Sequence, residues 1–327
     1  MSSNADAGSR LVATMLVLAG SLVAAVPAQA QYPDRPVKVV LPFGAGGIAD
    51  VTMRLVAGKL SERIGQQFVV ENRPGAGAIN AAMAVKSSAA DGYTMLLNGN
   101  GSALSVSLFK SLPFDIVKDF TSVSVLAQFD MLLATKTDRE FNSAAKLVEL
   151  ARARLGKLNF GTVAAGSTQN LAAEMFKVVT GVQAAVVTFR TSPDLVTALM
   201  RGDVDVGFDY LAAFSAGLSD KKLQIIASGG EKRSPLTPDT PTMMEAGWPD
   251  YVVTSWNGVS VPAGTSPEIV TKLNREINAV LKLPEVQARS TQLGMESAGS
   301  TPEGMSERLR ADIAKWRVII EKLGLQK

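Results

Sequence analysis

Neither cysteine nor histidine occurs anywhere in the 327 residues of this chain. Their absence excludes disulfides, thiol and imidazole nucleophiles or bases, and the usual zinc, copper and haem ligands. Aromatic residues are scarce at 6%, and the 33 Lys and Arg and 30 Asp and Glu are dispersed with no run of five like charges. No base-stacking platform or cationic stripe for nucleic acid is therefore offered. The net charge of +3 and pI near 9.0 suit a small anionic ligand, and equally a merely soluble surface. What is plentiful is apolar: 46% of residues are hydrophobic and 19% charged, with 28 Gly and 15 Pro as punctuation. That supports one large or two medium globular domains stabilised by their own cores.

The long apolar run lies at the N-terminus. Arg10 precedes residues 11–26, and Ala28-Gln29-Ala30 supplies the small-x-small pattern of signal peptidase cleavage. The run is shorter than the roughly 20 residues a membrane anchor needs. The pattern predicts a signal peptide over residues 1–30, a mature, soluble chain from Gln31, and delivery to the periplasm or cell exterior.

Along the rest, strand-like and helix-like segments alternate, which predicts an α/β fold with mostly parallel sheets. Strands are expected over 37–43, 68–71 and 93–98, with a helix carrying Ile48, Val51, Leu55 and Ile64 between the first two. Residues 121–135 are β-like. After them come a helix over 143–155, a strand around Phe160, a helix over 171–179, a strand over 185–189, a helix over 193–200 and a strand over 204–208. A turn-rich stretch at 234–249 leads to a long strand candidate over 251–261. Three helices finish the chain over 267–281, 284–293 and 302–323, each with proline at or near its first turn, where the missing N–H costs nothing. Met305, Leu309, Ile313, Trp316, Ile320 and Leu323 form a core stripe on the last. The expected organisation is two α/β domains, 31–130 plus 254–327 and 131–253, joined by crossing segments near 127–135 and 250–256 that form a hinge beside a ligand cleft.

Two strand-turn-helix units carry glycine loops. Gly44-Ala45-Gly46-Gly47-Ile48-Ala49 follows the first strand, and Gly161-Thr162-Val163-Ala164-Ala165-Gly166-Ser167-Thr168 overlaps the Phe160 strand. Each leads into a helix whose first N–H groups lack intrahelical partners, so the two together could clamp one anion. The first loop also fits the dinucleotide pattern G-x-G-x-x-G/A, with Glu71 22 residues beyond Ala49. An exported NAD-dependent oxidoreductase is thus the rival reading, although little NAD is expected outside the cytoplasm. The second loop imitates a P-loop but has Ser167 where lysine belongs, which argues against nucleotide hydrolysis. Asp203, Asp205 and Asp209 alternate along a strand, but without histidine they read as strand-edge aspartates rather than a metal site.

Tyr32-Pro33-x-Arg35-Pro36-Val37, Pro42-Phe43-x-x-Gly46-Gly47-x-x-Asp50, Val70-Glu71-Asn72-Arg73-Pro74-Gly75-Ala76-Gly77 and Asp91-Gly92-Tyr93-Thr94 closely resemble the receptors of tripartite tricarboxylate transporters, the Bug receptors. Leu112-Pro113-Phe114-Asp115, Gly166-Ser167-Thr168, Lys232-Arg233-Ser234-Pro235, Pro262-Ala263-Gly264-Thr265 and Gly299-Ser300-Thr301-Pro302-Glu303 extend the resemblance over essentially the whole mature chain. It implies a periplasmic binding protein fold, two α/β domains closing over an organic carboxylate, no catalysis and no cofactor. It also implies delivery to a membrane permease of one large and one small subunit. A monomer is expected. A ligand-presenting protein for a sensor kinase on the same scaffold would look alike in sequence.

The resemblance places ligand recognition on Phe43, Gly46, Gly47 and Asp50 from one lobe and Ser167 and Thr168 from the other. The loops that hold these residues add Gly44, Ala45, Gly166, Gln169 and Asn170. Asn98, Asn100 and Ser102 follow the third strand at the carboxyl edge where open α/β sheets bind ligands. Arg190 could fork onto a second carboxylate, and Asp209 ends a strand in a family-like Phe-Asp pair. The chain departs from the family at Ala45, where proline is usual, at Asn170, where histidine is common, and at Phe189-Arg190-Thr191-Ser192, so ligand identity does not carry over.

Overall fold

The computed structural model describes residues 32–75, 78–163 and 167–326. Residues 1–31, which include the segment expected to be a signal peptide, Ala76, Gly77, residues 164–166 and Lys327 lie outside the described residues. Tyr32, Pro33 and Asp34, the described part of a separate N-terminal unit, carry neither helix nor strand, and every element below belongs to one compact unit that starts at Arg35.

The elements are β1 (Val37–Leu41), α1 (Ile48–Ile64), β2 (Phe68–Asn72), α2 (Ile79–Lys86), β3 (Thr94–Gly99), α3 (Asn100–Leu108), β4 (Phe120–Asp130), β5 (Leu132–Lys136), α4 (Ala144–Ala153), β6 (Leu158–Val163), α5 (Thr168–Thr180), β7 (Ala184–Phe189), α6 (Ser192–Arg201), β8 (Val206–Asp209), α7 (Leu211–Ser219), β9 (Leu223–Ser228), β10 (Thr254–Pro262), α8 (Pro267–Leu281), α9 (Pro284–Gln292), β11 (Glu296–Ser297) and α10 (Pro302–Leu323). They build an α/β fold with a six-stranded sheet, β11-β4-β10-β3-β1-β2, and a five-stranded one, β7-β6-β8-β5-β9.

The expectation of mostly parallel sheets is corrected. β1 runs parallel to β2 and β3, and β6 to β7 and β8. By contrast β10 lies antiparallel to β3 and β4, β11 to β4, and β5 to β8 and β9. The cause is the path of the chain. It leaves the six-stranded sheet between Asp130 and Leu132 and returns between Ser228 and Thr254, and the strands that carry the traffic cannot all share the direction of the βαβ units.

At this waist Met131 N donates to Val253 O (3.1 Å), Gly229 N to Met131 O (2.7 Å) and Val253 N to Gly229 O (2.8 Å). The core beneath the five-stranded sheet is aromatic: Phe160, Phe176 and Phe208 pack with ring centroids 5.4–5.8 Å apart, and Tyr251 adds an edge contact to Phe176. On the other side Trp256 and Trp316 are almost wholly buried. Such large buried rings dominate the packing energy and fix the faces from which the loops project.

Candidate ligand-binding site

Five helices begin with a side-chain cap: Ser143 for α4, Ser167 for α5, Thr191 for α6, Ser266 for α8 and Thr301 for α10 each accept a bond from a backbone N–H of the first turn. The N-caps of α1, α2, α3, α7 and α9, namely Gly47, Ala78, Gly99, Tyr210 and Leu283, provide no such bond. The first four of these line a single cavity of about 400 Å³, together with Ser167, Thr168 and Gln169 at the start of α5, whereas Leu283 stands outside it. No Asp, Glu, Lys or Arg stands among its described lining residues. Helix N-termini carry partial positive charge and donor groups without intrahelical partners, so this cleft is electropositive without a cation.

Of the residues expected from sequence, Phe43, Gly47, Ser102, Ser167, Thr168 and Gln169 come together here. Gly44, Ala45 and Gly46 lie exposed on the loop before α1, outside the lining, and Gly166 lies outside the described residues. Asp50 is buried and spent locally: it accepts from Gly46 N (3.0 Å), Asn72 Nδ2 (2.9 Å) and Arg54 Nε (3.0 Å). It therefore shapes the glycine loop from behind. Asn98, inside β3, donates to Ser260 Oγ (3.0 Å) and stitches β3 to β10. Asn100 donates to Thr168 Oγ1 (2.9 Å) and accepts from Trp316 Nε1 (2.7 Å), tying α3 to α5 and α10 beneath the cavity.

Asn170 packs its side chain toward Thr162 (3.4 Å) and receives the Ser167 cap at its backbone N–H. Arg190 is exposed at the end of β7, outside the lining. Asp209 is buried behind Gln169. Its Oδ1 accepts from Gln169 Nε2 (3.1 Å) and Tyr210 N (2.9 Å), whereas Oδ2 has no hydrogen-bond partner among the described residues. Burial pushes its carboxyl above the usual range, and bonds from Ser192, Gln169 and Tyr210 only temper the rise.

Sequence reasoning missed Phe129, Tyr210, Ser255 and Asn257 in the lining. Tyr210 immediately follows Asp209 at a strand's carboxyl end, a signal that could have found it. Ser255 and Asn257 sit on β10, where only the pairing register tells which face looks into the cleft. Burial pushes the Tyr210 phenol upward, with Ser255 and Thr168 as hydrogen-bonding neighbours.

A larger cavity of about 620 Å³ lies behind the waist and is lined by charges of both signs, including Asp130, Glu231, Glu296, Arg308, Asp312 and Lys315. These groups are internally engaged. Lys315 Nζ donates to Val252 O (2.6 Å), Trp256 Nε1 to Asp312 Oδ2 (2.6 Å) and Arg308 to Gln128 Oε1 (3.1 Å). Burial, with Glu296 nearby, pushes Asp130 up to about 6. The smaller cleft is the better anion site because four helix N-termini without side-chain caps converge on it and no carboxylate stands among its described lining residues.

Burial alone would raise the Asp50 carboxyl, but the bonds from Arg54, Gly46 and Asn72 outweigh it and hold it at about 2. A depressed carboxylate contributes stability that is present above its unfolded pKa near 3.9 and is lost as pH falls through the folded value. Asp50→Ala is expected to cost on the order of 1–2 kcal/mol at neutral pH. Acid titrations of denaturant unfolding should show the gap between wild type and variant narrowing from pH 4 to pH 2. A gap independent of pH would show that the carboxylate charge is not what holds the loop.

A two-sheet α/β chain whose path leaves one sheet for the other and returns, with a cleft lined by helix N-termini, is a solute-binding protein of the periplasmic binding protein fold. Residues 52–325 match the sequence profile described as the tripartite tricarboxylate transporter family receptor, and the chain belongs to that family. Protein BugT of Bordetella pertussis is 32% identical over 319 residues, 97% of this chain and 98% of its own. Among solved structures, R. palustris Rpa4515 with adipate superposes with a TM-score of 0.80 at 35% identity, over 90% of this chain and 98% of that one. MatC (Rpa3494) from Rhodopseudomonas palustris with bound malate gives 0.76 at 29% identity, over 88% and 100%.

Proposed function

We propose that this chain is an exported, non-catalytic receptor that captures a small di- or monocarboxylate in the cleft and hands it to a membrane permease of one large and one small subunit. The observation that carries the reading is the convergence of four helix N-termini without side-chain caps, and that of α5, on one cavity with no charged side chain among its described lining residues. Each such terminus favours an anion by roughly 0.3–1 kcal/mol, and more where water is excluded. The relatives that hold adipate and malate support a carboxylate as the anion. On this reading residues 31–130 plus 254–327 and residues 131–253 are the two lobes, the signal peptide over 1–30 directs the chain to the periplasm, and capture closes the lobes on the ligand. No helix among the described residues is long and apolar enough to cross a membrane, which fits a receptor that meets its permease from outside the bilayer.

The dinucleotide reading loses its acidic partner. Glu71 at the end of β2 is paired with Lys38 Nζ (2.9 Å) and with Arg73, which leaves it poorly placed to receive a ribose hydroxyl.

Thermal unfolding of the mature protein against mono-, di- and tricarboxylates, acidic amino acids and NAD tests the proposal. A carboxylate at about 100 times its Kd adds roughly 2.7 kcal/mol and raises the midpoint. A shift with NAD and with no acid would overturn the receptor reading.

A further inference from the structure

We propose that the Gln169 side-chain carbonyl is a specificity element of the cleft, and that the acid it selects carries a hydroxyl on the carbon next to its carboxylate. The inference rests on the receptor reading and names a class of ligand within it. Gln169 is the second residue of α5 and lines the cavity. A primary amide has one donor end and one acceptor end, and Asp209 behind it decides which end is left for the ligand.

Asp209 Oδ1 accepts from the Tyr210 backbone N–H (2.9 Å) and from Gln169 Nε2 (3.1 Å). The Tyr210 N–H can only donate, so Oδ1 is an acceptor in either protonation state of the carboxyl, any proton residing on Oδ2. An acceptor oxygen takes the NH2 end of the amide. Gln169 is thereby held with Oε1 turned from Asp209, and Oε1 accepts from no donor among the described residues. Nor is it sealed in. The buried side-chain atoms without a partner among the described residues are Asp209 Oδ2, Thr237 Oγ1 and Asn257 Nδ2, whereas Gln169 is half-buried on the cavity wall.

The neighbouring hydroxyls are already engaged. Ser167 Oγ donates to Val163 O and accepts from Asn170 N (3.1 Å). Thr168 Oγ1 accepts from Asn100 Nδ2 (2.9 Å) and neighbours the Tyr210 phenol. The entrance of α5 thus offers an anion the N–H groups of Thr168 and Gln169, which no intrahelical carbonyl can take, and beside them one side-chain acceptor. A carboxylate oxygen against Oε1 would be repelled, a C–H would leave the acceptor unpaired, and a hydroxyl satisfies it. Because donors and acceptor share one helix turn, the hydroxyl belongs on the carbon adjacent to the bound carboxylate. An ammonium is less suited there, since no carboxylate stands among the described lining residues and burial drives Asp209 toward its neutral form.

Isothermal titration of the mature protein with matched pairs tests the assignment: lactate against propionate, malate against succinate, and 2-hydroxyglutarate against glutarate. Wild type is expected to bind the hydroxy acid at least ten-fold tighter in at least one pair. Gln169→Met, of similar shape, should shrink that preference below three-fold while changing affinity for the unsubstituted acid by less than three-fold. Asp209 is a positioning residue and reads out through Gln169. Asp209→Asn keeps an acceptor for Tyr210 N and Gln169 Nε2 and should keep the preference, whereas Asp209→Leu frees the amide to turn and should lose it. Unfolding midpoints without ligand report whether each variant is folded, and the half-buried Gln169→Met decides the matter if Asp209→Leu is not. A wild type without the preference in any pair, a preference retained by Gln169→Met, or 2-amino acids bound tighter than their hydroxy counterparts would each overturn the assignment while leaving the receptor intact. Binding of NAD with no acid bound would instead remove the receptor reading itself.

Discussion

Ser102→Asp should abolish binding of organic acids while leaving the protein folded. Ser102 is the third residue of α3, 9% exposed, and lines the cleft. An aspartate in the first turn of a helix is electrostatically welcome there, so the fold tolerates it. Its carboxylate would occupy the space left for the ligand, compete for the same N–H groups and repel an incoming anion in a site that excludes water. A loss of at least 100-fold, or about 2.7 kcal/mol, is expected by titration calorimetry. Ser102→Ala, which removes one hydroxyl, should cost less than ten-fold. Affinity retained by Ser102→Asp would mean that the ligand does not approach α3, and the cleft would have to be assigned differently.

Gly99→Val should destabilise the protein by more than about 3 kcal/mol, because overpacking against main chain has no side-chain escape. A Cβ at Gly99 would stand 2.2 Å from the carbonyl oxygen of Trp256, a backbone atom of the neighbouring strand β10. Relief requires β10 to move, and β10 is bonded to both β3 and β4 at the centre of the six-stranded sheet. Two residues on, Gly101→Ala meets only the Phe43 ring at 3.7 Å, an ordinary contact. At the second position of α3, in its first turn, it should stabilise the helix by no more than about 0.5–1 kcal/mol. Denaturant unfolding of the two variants reads the contrast. Similar stabilities would show that β10 can yield at this point.

Much of this architecture could be read from the chain because its signals are local. The helices led by Pro267, Pro284 and Pro302 begin where proline predicts, and Ser167 caps α5 as a residue before an apolar-periodic run should. Phe43, Gly47, Ser102, Ser167, Thr168 and Gln169 reach the cleft for the same reason: strand-to-helix turns at the carboxyl edge carry their own punctuation. The helices α2, α3 and α7 went unassigned. They are short and rich in Ala, Gly and Ser, with little contrast between faces, so apolar period gives no guide. The direction of β10 depended on the return path of the chain, which no local window contains.

Asp50, Asn98 and Asn100 have residue types suited to binding, but their side chains are engaged by Arg54, Ser260 and Trp316. Two of those partners lie more than 100 residues away in sequence. Asn257 was hidden in the opposite way: that its buried Nδ2 has no partner among the described residues is visible only once its neighbours are in place.

The triangle of main-chain bonds among Met131, Gly229 and Val253 has a mechanical meaning. Two bodies held by a single tether can swivel, slide and twist. When the tethers are two and are bonded to each other side by side, the motions that would shear them apart are resisted, and rotation about the line through them remains as the soft mode. If the segments on either side are the two lobes proposed above, opening and shutting would trace one path, like a book on its spine, and a transporter waiting at the membrane would have a single coordinate, the angle between the covers, from which to tell a loaded receptor from an empty one.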